Sequence, residues 1–336
     1  MKTKILNILR NSNEYISGQF LCNKLGVSRT AVWKVINQLK EEGYEIDSVQ
    51  NKGYRIVSFP DIITASEIMS QLYSMDGEKL EGIITEVKYY DETDSTNNEA
   101  KRQAEKNAQD GTLFITECQT GGRGRRGKTW ISPAGTGIWM SLLLRPDIAP
   151  ASASMLTIVA AMAMQKAIAQ IATEDGHKVE SGIKWPNDIV LNNKKICGIL
   201  TEMSAEMDYI HYVVIGIGVN VNTTDFDDSI KDMASSLYEQ TGKRIKRSSI
   251  VAAFSMWFSV YYDEFIKTRN LAGIKEQYNS MLINMGRDVK AIYPDREIVG
   301  KAIGINDEGE LIIRTDKGEE IVRTGEVSVR GLYGYV

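Results

Sequence analysis

The sequence predicts an α+β protein of several domains: a winged helix-turn-helix, a mixed α/β domain and a small β-barrel. Three observations support this prediction. Apolar residues at helical spacing, followed by a hairpin pattern, occupy the first 60 residues. Strand-like and helix-like runs alternate up to residue 285, and short β-rich runs between turn residues complete the chain. We therefore expect domains at residues 1–60, 61–285 and 286–336.

The overall composition is that of an ordinary globular protein. Of 336 residues, 43% are hydrophobic and 25% are charged, which is sufficient for a sizeable core. The net charge of −4 is uneven, because residues 1–60 contain nine Lys/Arg and five Asp/Glu and the other 276 residues therefore carry −8. A basic N-terminal segment on an acidic body indicates that only this segment contacts nucleic acid.

The cysteines and histidines form no recognisable site in the sequence. Cys22, Cys118 and Cys197 contain no C-x-x-C pair, which argues against a disulfide framework or zinc site and favours a reducing compartment. His177 and His211 are isolated and are predicted to be structural or solvated. Because there is no run of 18 apolar residues and no signal-peptide pattern, we expect a cytoplasmic protein without a membrane span.

The N-terminal segment has helix-turn-helix spacing. Gly26 is predicted at the turn, and Ser28 is predicted to be the N-cap of the third helix. A hairpin, or wing, follows this helix, and Pro60 lies in a predicted linker. The three helices and the two hairpin strands are predicted at residues 4–11, 17–25, 28–42, 45–49 and 54–57.

The third helix would expose a largely polar face. Arg and Asn side chains suit base edges in a major groove, whereas Ser, Thr and Lys suit phosphates. A small helical domain that binds protein is the alternative interpretation, but the wing and the local positive charge favour DNA. The predicted DNA-binding residues are Ser28, Arg29, Thr30, Trp33, Lys34 and Asn37.

Residues 121–128 read Gly-Gly-Arg-Gly-Arg-Arg-Gly-Lys and lie between the strand-like runs 112–117 and 138–144. Four glycines and four cations without an apolar side chain cannot bury enough surface to order the segment, so we expect an anionic ligand to order it. The spacing is not that of a Walker A loop. A phosphate group is one candidate ligand, and a solvated basic turn or a nucleic-acid patch is the alternative.

Three further stretches carry polar residues at unusual positions. Asp94-Ser95-Thr96-Asn97 precedes a predicted helix, where it could cap the helix or grip a polar ligand. Lys184 lies on an apolar strand before Trp185-Pro186, where it could extend to solvent or pair with an anion. In Gly216-Ile-Gly-Val-Asn220, the glycines could mark a bulge or close approach by a ligand.

The loop and these three stretches, in this order, resemble biotin–protein ligases, and the similarity runs along the whole chain. It is greatest to the bifunctional members, which are also biotin operon repressors. The resemblance implies a central domain like that of class II aminoacyl-tRNA synthetases and an SH3-like barrel at the C-terminus. We see no catalytic constellation in the barrel and expect it to be a capping unit.

The resemblance also assigns residues to ligands. It implies that Arg125 and Lys184 are catalytic, with Lys184 contacting the biotin carboxylate and the α-phosphate. Biotin is expected to contact Ser95, Thr96, Asn97, Gln119, Gly122, Arg123, Gly124, Arg125 and Lys184. The adenylate and ATP are expected to contact Arg123, Arg125, Arg126, Trp130, Lys184, Asn187 and Asn220.

Two parts of the expected site stay open. The family's adenylate-covering loop corresponds to residues 222–236, and some relatives have a tryptophan near its end. This chain has Ala234-Ser235-Ser236 there, so the residue that covers adenine is undetermined, and Trp130 is the better candidate for stacking. The metal ligands are also undetermined, although carboxylates such as Asp188 could contribute.

The implied reaction has two steps. The carboxylate of biotin attacks the α-phosphorus of Mg–ATP, giving biotinyl-5′-AMP and pyrophosphate. A lysine of the biotin carboxyl carrier protein of acetyl-CoA carboxylase then attacks the acyl group and releases AMP. Biotin and ATP are thus the expected substrates, with Mg²⁺, and no base for the acceptor lysine can be identified.

The resemblance further implies a homodimer, formed with the adenylate bound, on operator DNA. Residues 189–196 are expected to join two sheets edge to edge. Two other functions stay open, namely a ligase for another acid such as lipoate and a ligand-responsive regulator without activity. The arginine-rich loop and Lys-Trp-Pro-Asn-Asp favour biotin, and the presence of Arg125 and Lys184 argues against loss of activity.

Overall fold

A computed structural model describes residues 1–73, 80, 82–174, 176, 179–323, 327–331 and 335. It contains two compact units, residues 1–81 with 246–252 and residues 82–245 with 253–336. The predicted domain boundaries after residues 60 and 285 stay a prediction. His177 lies outside the described residues.

The first unit has the predicted winged helix-turn-helix. The side chains of Ser17 and Ser28 accept hydrogen bonds from backbone N–H groups three residues on, so each caps the helix that follows it. Gly26, at φ 67°, ends the second helix in the left-handed region. Its elements are α1 Lys2–Arg10, α2 Gly18–Leu25, α3 Arg29–Glu41, β1 Glu45–Val49, β2 Gly53–Ser58 and α4 Ala65–Gln71.

A buried carboxylate joins several parts of the first unit. Glu67 on α4 is 1% exposed, and its Oε2 accepts hydrogen bonds from Arg10 Nη2 and Tyr44 Oη, each at 2.6 Å. Its Oε1 accepts from Gln71 Nε2 at 3.0 Å and from Ser248 Oγ at 3.1 Å. Burial and the Glu67 carboxylate raise the pKa of Tyr44 far above its usual range, so Tyr44 donates as a neutral phenol.

The second unit is built on a seven-stranded sheet in the order β3-β4-β5-β9-β8-β7-β6. Only β3 and β4 are parallel neighbours, and the other pairs are antiparallel. The strands are β3 Glu86–Thr93, β4 Thr112–Gln119, β5 Gly137–Leu144, β6 Ser181–Lys184, β7 Asp188–Leu191, β8 Lys194–Ala205 and β9 Ile210–Asn220. The remaining helices are α5 Thr96–Ala104, α6 Met155–Glu174, α7 Leu237–Thr241, α8 Arg247–Thr268 and α9 Lys275–Met281.

The register of this sheet brings the arginine-rich loop and the end of β9 to the same end of neighbouring strands. Gly137 at the start of β5 lies opposite Asn220 at the end of β9, and Gln119 ends the neighbouring strand β4. The loop between β4 and β5 therefore begins next to the end of β9. This arrangement is why the arginine-rich loop and Asn220, far apart in sequence, contribute to the same site.

The stretch expected to join two sheets edge to edge is not a free edge. β7 pairs with β6 on one side and with β8 on the other. Lys195 N donates to Met233 O at 2.7 Å, and Ser235 N donates to Lys195 O at 3.0 Å. The expectation for residues 189–196 was therefore wrong, because neighbouring segments already satisfy this backbone.

Residues 150–174, which include α6, form a helical stretch long and apolar enough to cross a membrane. However, 78% of its most apolar window is buried inside the protein. Side chains such as Leu156, Val159 and Ala163 have no exposed surface. The apolar character of α6 is thus accounted for by packing in the core of the second unit.

The C-terminal residues form the small all-β structure predicted from their turn spacing. The five-stranded antiparallel sheet has the order β13-β12-β11-β10-β14, in which the last strand returns beside the first. That order is typical of an SH3-like barrel. The strands are β10 Asp288–Ile292, β11 Glu297–Ile305, β12 Leu311–Thr315, β13 Gly318–Val322 and β14 Ser328–Gly331.

The Glu67 cluster predicts a large effect on the stability of the first unit. Glu67→Ala would leave Arg10 and Tyr44 without their carboxylate partner, which we expect to cost about 3 kcal/mol. Hydrogen exchange in α1 and α4 should accelerate accordingly. Glu41→Ala, at an exposed position, is the control and should change stability by less than about 0.5 kcal/mol. Equal exchange in both variants would contradict the assignment.

Candidate functional site

The predicted ligand-binding residues line a single cavity of about 1670 Å³ in the second unit. It lies where β4, β6 and β9 end, below the arginine-rich loop. Gly122 is the exception, because it is buried beneath the loop, where its carbonyl accepts from Trp130 N at 2.9 Å. The predicted residues that do line the cavity are Ser95, Thr96, Asn97, Gln119, Arg123, Gly124, Arg125, Arg126, Trp130, Lys184, Asn187 and Asn220.

The turn before α5 is buried at one end of this cavity. Ser95, Thr96 and Asn97 are 3%, 3% and 5% exposed. Ser95 occupies the N-cap position of α5, but its hydroxyl makes no capping hydrogen bond. Gln119 Oε1 instead accepts from Thr96 N at 2.9 Å. The turn therefore has a polar side chain available that helix capping does not use.

The arginine-rich loop folds into a short 3₁₀ turn, Arg125–Gly127, with Arg126 at φ 58°. Gly124 N donates to Lys128 O at 2.7 Å and closes the turn. Arg123 and Arg126 are exposed, whereas Arg125 is half-buried and donates from Nη1 to Asn187 Oδ1 at 2.8 Å. Arg125 is thus the arginine of this loop that is held against the cavity wall.

Lys184 is the central charged group of the site. It is only 5% exposed, which excludes the interpretation that its side chain extends to solvent. Burial, opposed by the nearby carboxylate of Asp188 and reinforced by neighbouring cations, lowers the pKa of Lys184 to about 7. Trp185 fixes the strand end, because its N and Nε1 donate to Asn284 Oδ1 and Gly309 O, each at 3.0 Å.

Asp188 and two residues that the sequence did not single out surround this lysine. Lys195 Nζ lies 2.5 Å from Asp188 Oδ1, and Tyr335 Oη donates to Asp188 Oδ2 at 2.6 Å. Burial alone would raise the pKa of Asp188, but Lys195 and Tyr335 outweigh burial and hold it below the usual value. The Lys184 ammonium also lies 3.3 Å from the centroid of the Tyr335 ring, a cation–π contact.

The other end of the cavity contains Trp130. A Cβ on Gly218 would lie 2.6 Å from Trp130 Nε1, and one on Gly198 would lie 2.9 Å from the same ring. The Trp130 indole can therefore pack against these two positions only because both are glycine. Lys195 Nζ lies 5.3 Å from the ring centroid, so an aromatic face and a cation adjoin here.

Several lining residues were missed from the sequence. Phe226 and Met233, in the loop after β9, contribute apolar surface to the cavity. Arg330 and Tyr335 line it as well, so the C-terminal residues are not only a capping unit as expected. No local pattern marks Tyr335, although the basic pair at Lys194-Lys195, next to apolar strand sequence, was a signal for Lys195.

The described residues contain no group of three or more His, Cys, Asp or Glu side chains arranged to hold a metal ion. Asp188 lies close to Lys184, and both of its oxygens already contact Lys195 or Tyr335. This carboxylate is therefore already engaged by protein groups.

The first unit has the separate surface predicted for DNA. On α3, Trp33 is 56% exposed, and Arg29, Thr30 and Lys34 are also exposed, whereas Asn37 is half-buried. Arg29 Nη2 donates to Gln19 Oε1 on α2 at 2.8 Å, which orients its guanidinium. The hydroxyl of Ser28 is used for the helix cap.

Three family models match the chain in the same order as these structural elements. An HTH domain matches residues 2–55, the biotin/lipoate A/B protein ligase family matches residues 89–220, and a biotin protein ligase C-terminal domain matches residues 285–330. The ligase match spans the turn before α5, the arginine-rich loop, Lys184 and Asn220.

Whole-chain comparisons agree with the family models. The chain is 40% identical over 319 residues to the bifunctional ligase/repressor BirA of Bacillus subtilis (strain 168), covering 94% of each. It is 29% identical to BirA of Escherichia coli (strain K12), covering 97% of this chain and 96% of that one. The biotin protein ligase from Aquifex aeolicus in complex with biotin and ATP is 30% identical with a TM-score of 0.63, over 74% of this chain and all of that one. The chain therefore belongs to the family of bifunctional ligase/repressors that contain a biotin/lipoate A/B protein ligase domain.

Proposed function

We propose that this protein is an ATP-dependent biotin–protein ligase and also a DNA-binding repressor. As a ligase, it forms biotinyl-5′-AMP and transfers biotin to a lysine of the biotin carboxyl carrier protein of acetyl-CoA carboxylase. As a repressor of biotin biosynthesis and transport genes, it uses biotinyl-5′-AMP as corepressor. The observation that carries the ligase proposal is the buried Lys184, close to the Arg125 loop and in one cavity with the Ser95–Asn97 turn.

The first step needs charge neutralisation and alignment. A carboxylate oxygen of biotin forms a bond to the α-phosphorus, and the bond to the pyrophosphate oxygen breaks. The carboxylate is ionised at pH 7, so no base is required. Lys184 would bind the carboxylate and the α-phosphate, and Arg125, held by Asn187, would pair with the developing charge.

Lys184 gains a proton as part of this binding. Without an anion, its pKa of about 7 leaves the ammonium partly deprotonated at neutral pH. A bound carboxylate or phosphate stabilises the charged form and raises the pKa again. The buried lysine therefore costs stability at neutral pH while the site is empty, and it becomes a full cation when the reacting anions are present.

In the second step, the acceptor lysine of the carrier attacks the acyl carbon as a neutral amine, and AMP leaves. The described residues offer Asp188 near the reacting centre, but it is occupied by Lys195 and Tyr335. We therefore assign no base to this step. Trp130, packed on Gly218, provides the surface on which adenine would stack.

In this proposal, Mg²⁺ binds together with the nucleotide. Mg²⁺ keeps several waters and is usually bound by one or two carboxylates together with substrate phosphates. Since the described residues form no metal-binding group, we propose that Mg–ATP is the substrate form. Neutralisation by the protein's own residues rests on Lys184 and Arg125.

Repression would use the exposed face of α3 in the major groove. One helix-turn-helix covers a short site, so we propose a homodimer on two half-sites, formed with the adenylate bound. Residues 189–196 do not provide a free strand edge for that dimer. A cytoplasmic location follows from the proposed partners, the carrier protein and operator DNA.

The direct test is an incubation of purified protein with labelled biotin, ATP and a biotin carrier domain. The proposal predicts ATP-dependent labelling of one carrier lysine, and Lys184→Ala should abolish adenylate formation. Labelling with lipoate in preference to biotin would show that the protein is a ligase for a different acid. Absence of labelling with every acid, together with operator binding, would show a regulator without ligase activity.

Alanine substitutions at two glycines on β9 should each affect the KM for a different substrate. A Cβ at Gly216 would lie 2.1 Å from Asn97 Oδ1, whereas one at Gly218 would lie 2.6 Å from Trp130 Nε1. Gly216→Ala should therefore raise the KM for biotin, and Gly218→Ala the KM for ATP, each by about 10-fold, equivalent to roughly 1.4 kcal/mol. Pyrophosphate release measures both, and each variant is the control for the other. If both variants raised the KM for the same substrate equally, the assignment of Gly216 to the biotin side and Gly218 to the ATP side would be contradicted.

We expect Arg29 and Lys34 to make two different kinds of contact with DNA. Arg29→Ala should cost about 1–3 kcal/mol on the operator and relax the preference at one base pair, because its oriented guanidinium suits bidentate base contact. Lys34→Ala should weaken binding to all sequences and reduce the salt slope by about one. Salt titrations with selected operator and random duplexes distinguish them, and ligase activity is the control. Equal losses on both duplexes for both variants would refute the assignment.

A further inference from the structure

A second layer of side chains lies behind the Ser95–Asn97 turn and engages the carboxamide of Asn97 on both sides. Asn97 Nδ2 donates to Glu202 Oε2 at 2.7 Å and is 3.4 Å from Leu200 O. On the other side, Ser141 Oγ donates to Asn97 Oδ1 at 2.5 Å. Ser141 and Asn97 are 0% and 5% exposed. The amide therefore has a fixed partner for its nitrogen and another for its oxygen.

Counting protons fixes the direction of this network. A carboxylate only accepts hydrogen bonds, so the Asn97 atom facing Glu202 must be the nitrogen. The single proton of Ser141 then goes to Asn97 Oδ1, because an amide oxygen cannot donate. Ser141 Oγ also lies 2.7 Å from Thr96 Oγ1, whose hydroxyl donates to Gln119 Oε1 at 3.2 Å. Asn97, which lines the cavity, is thus held with its amide oxygen as an acceptor.

The carboxylate that orients the network is itself held in its charged form. Lys101 Nζ on α5 lies 2.8 Å from Glu202 Oε1. Burial alone would raise the pKa of Glu202, but the hydrogen bonds from Lys101 and Asn97 outweigh burial and hold the pKa below the usual value. Glu202 is therefore an acceptor at neutral pH. Gly216, without a side chain, leaves room for Asn97 to keep this orientation.

We infer that Glu202 is a positioning residue for recognition of the ligand's cyclic urea, acting through Asn97. It keeps Asn97 Oδ1 oriented as an acceptor, which suits a ring that presents N–H donors. Glu202 does not touch the ligand in this arrangement. The inference rests on the proposed function, since it names what selects the biotin ring within that site.

Glu202→Gln tests this inference, because a glutamine can donate as well as accept and so permits the Asn97 amide to reverse. The KM for biotin in pyrophosphate release should rise by about 10- to 100-fold, as expected for a buried hydrogen bond with a mismatched partner. The KM for ATP and the kcat at saturating biotin should stay within about twofold of the unchanged protein, as no group near the phosphates is altered.

The matched control is Glu206→Gln, which makes the same charge change beyond the end of β8, where the Glu206 carboxylate contacts Tyr209 and His211. It should leave both KM values unchanged. If Glu202→Gln fails to fold, Ser141→Ala removes the other partner of the same amide and should raise the KM for biotin alone. Increases in both KM values with a lower melting temperature, in whichever variant folds, would show a structural role and overturn the inference.

A biotin analogue methylated on a ureido nitrogen gives an independent readout. The unchanged protein should bind biotin more tightly than the analogue, and Glu202→Gln should reduce this preference because its Asn97 can present a donor. An undiminished preference in Glu202→Gln would overturn the positioning role. Failure of the unchanged protein to bind biotin at all would instead overturn the proposed function, and this inference with it.

Discussion

The burial of Lys184 is the constraint on which the site depends. An ammonium group that is 5% exposed loses most of its hydration, and its pKa falls to about 7. Because this folded-state pKa lies below the unfolded value, Lys184 costs stability, most below about pH 7 and progressively less as pH rises towards the unfolded pKa. A bound anion removes that cost. The fold thus maintains a position that is unfavourable for the charged lysine unless an anion accompanies it.

The strands around Lys184 explain how such a position is maintained. Trp185 anchors the end of β6 through Asn284 and Gly309, so the lysine cannot move out to solvent. Tyr335 covers the ammonium with its ring and holds Asp188. These contacts place the C-terminal residues beside Lys184 on the cavity wall. They also leave the cavity as the direction from which an anion can reach Lys184.

Glycines determine the shape of the rest of the cavity. Gly216 and Gly218 are two residues apart on β9, so their missing side chains lie on the same face of the strand. One leaves space for Asn97 and the other for Trp130. A single strand thereby separates the part that suits a polar ring from the part that suits an aromatic base. The same strand supplies Asn220 at its end.

Structural features that depend on neighbouring residues could be predicted from the sequence, and contacts between residues far apart in the sequence could not. Caps such as Ser17 and Ser28, and the glycine- and arginine-rich loop, depend on neighbouring residues and were recognisable. The pairing of β7 on both sides depends on where β6 lies, so residues 189–196 were wrongly expected to be an edge.

Two further residues, Tyr335 and Glu202, were not singled out from the sequence, and their contacts explain why. Tyr335 reaches Lys184 across 151 positions of sequence, and Glu202 reaches Asn97 across 105. Neither residue belongs to a recognisable motif, and side chains of the same types occur elsewhere in the chain. Their roles follow only from the register of the sheet and the path of the C-terminal residues, which residue spacing does not specify.

The central claim is that Lys184 is partly uncharged at neutral pH in the empty site and fully charged when the reacting anions are bound. Its pKa can be measured by NMR titration of ¹³C-labelled lysine side chains, with Lys184→Met to assign the signal. We predict a pKa near 7 without ligand, rising towards that of an exposed lysine when a non-hydrolysable analogue of biotinyl-5′-AMP is bound. A pKa near that of an exposed lysine in the free protein, or no increase with the analogue, would contradict the account.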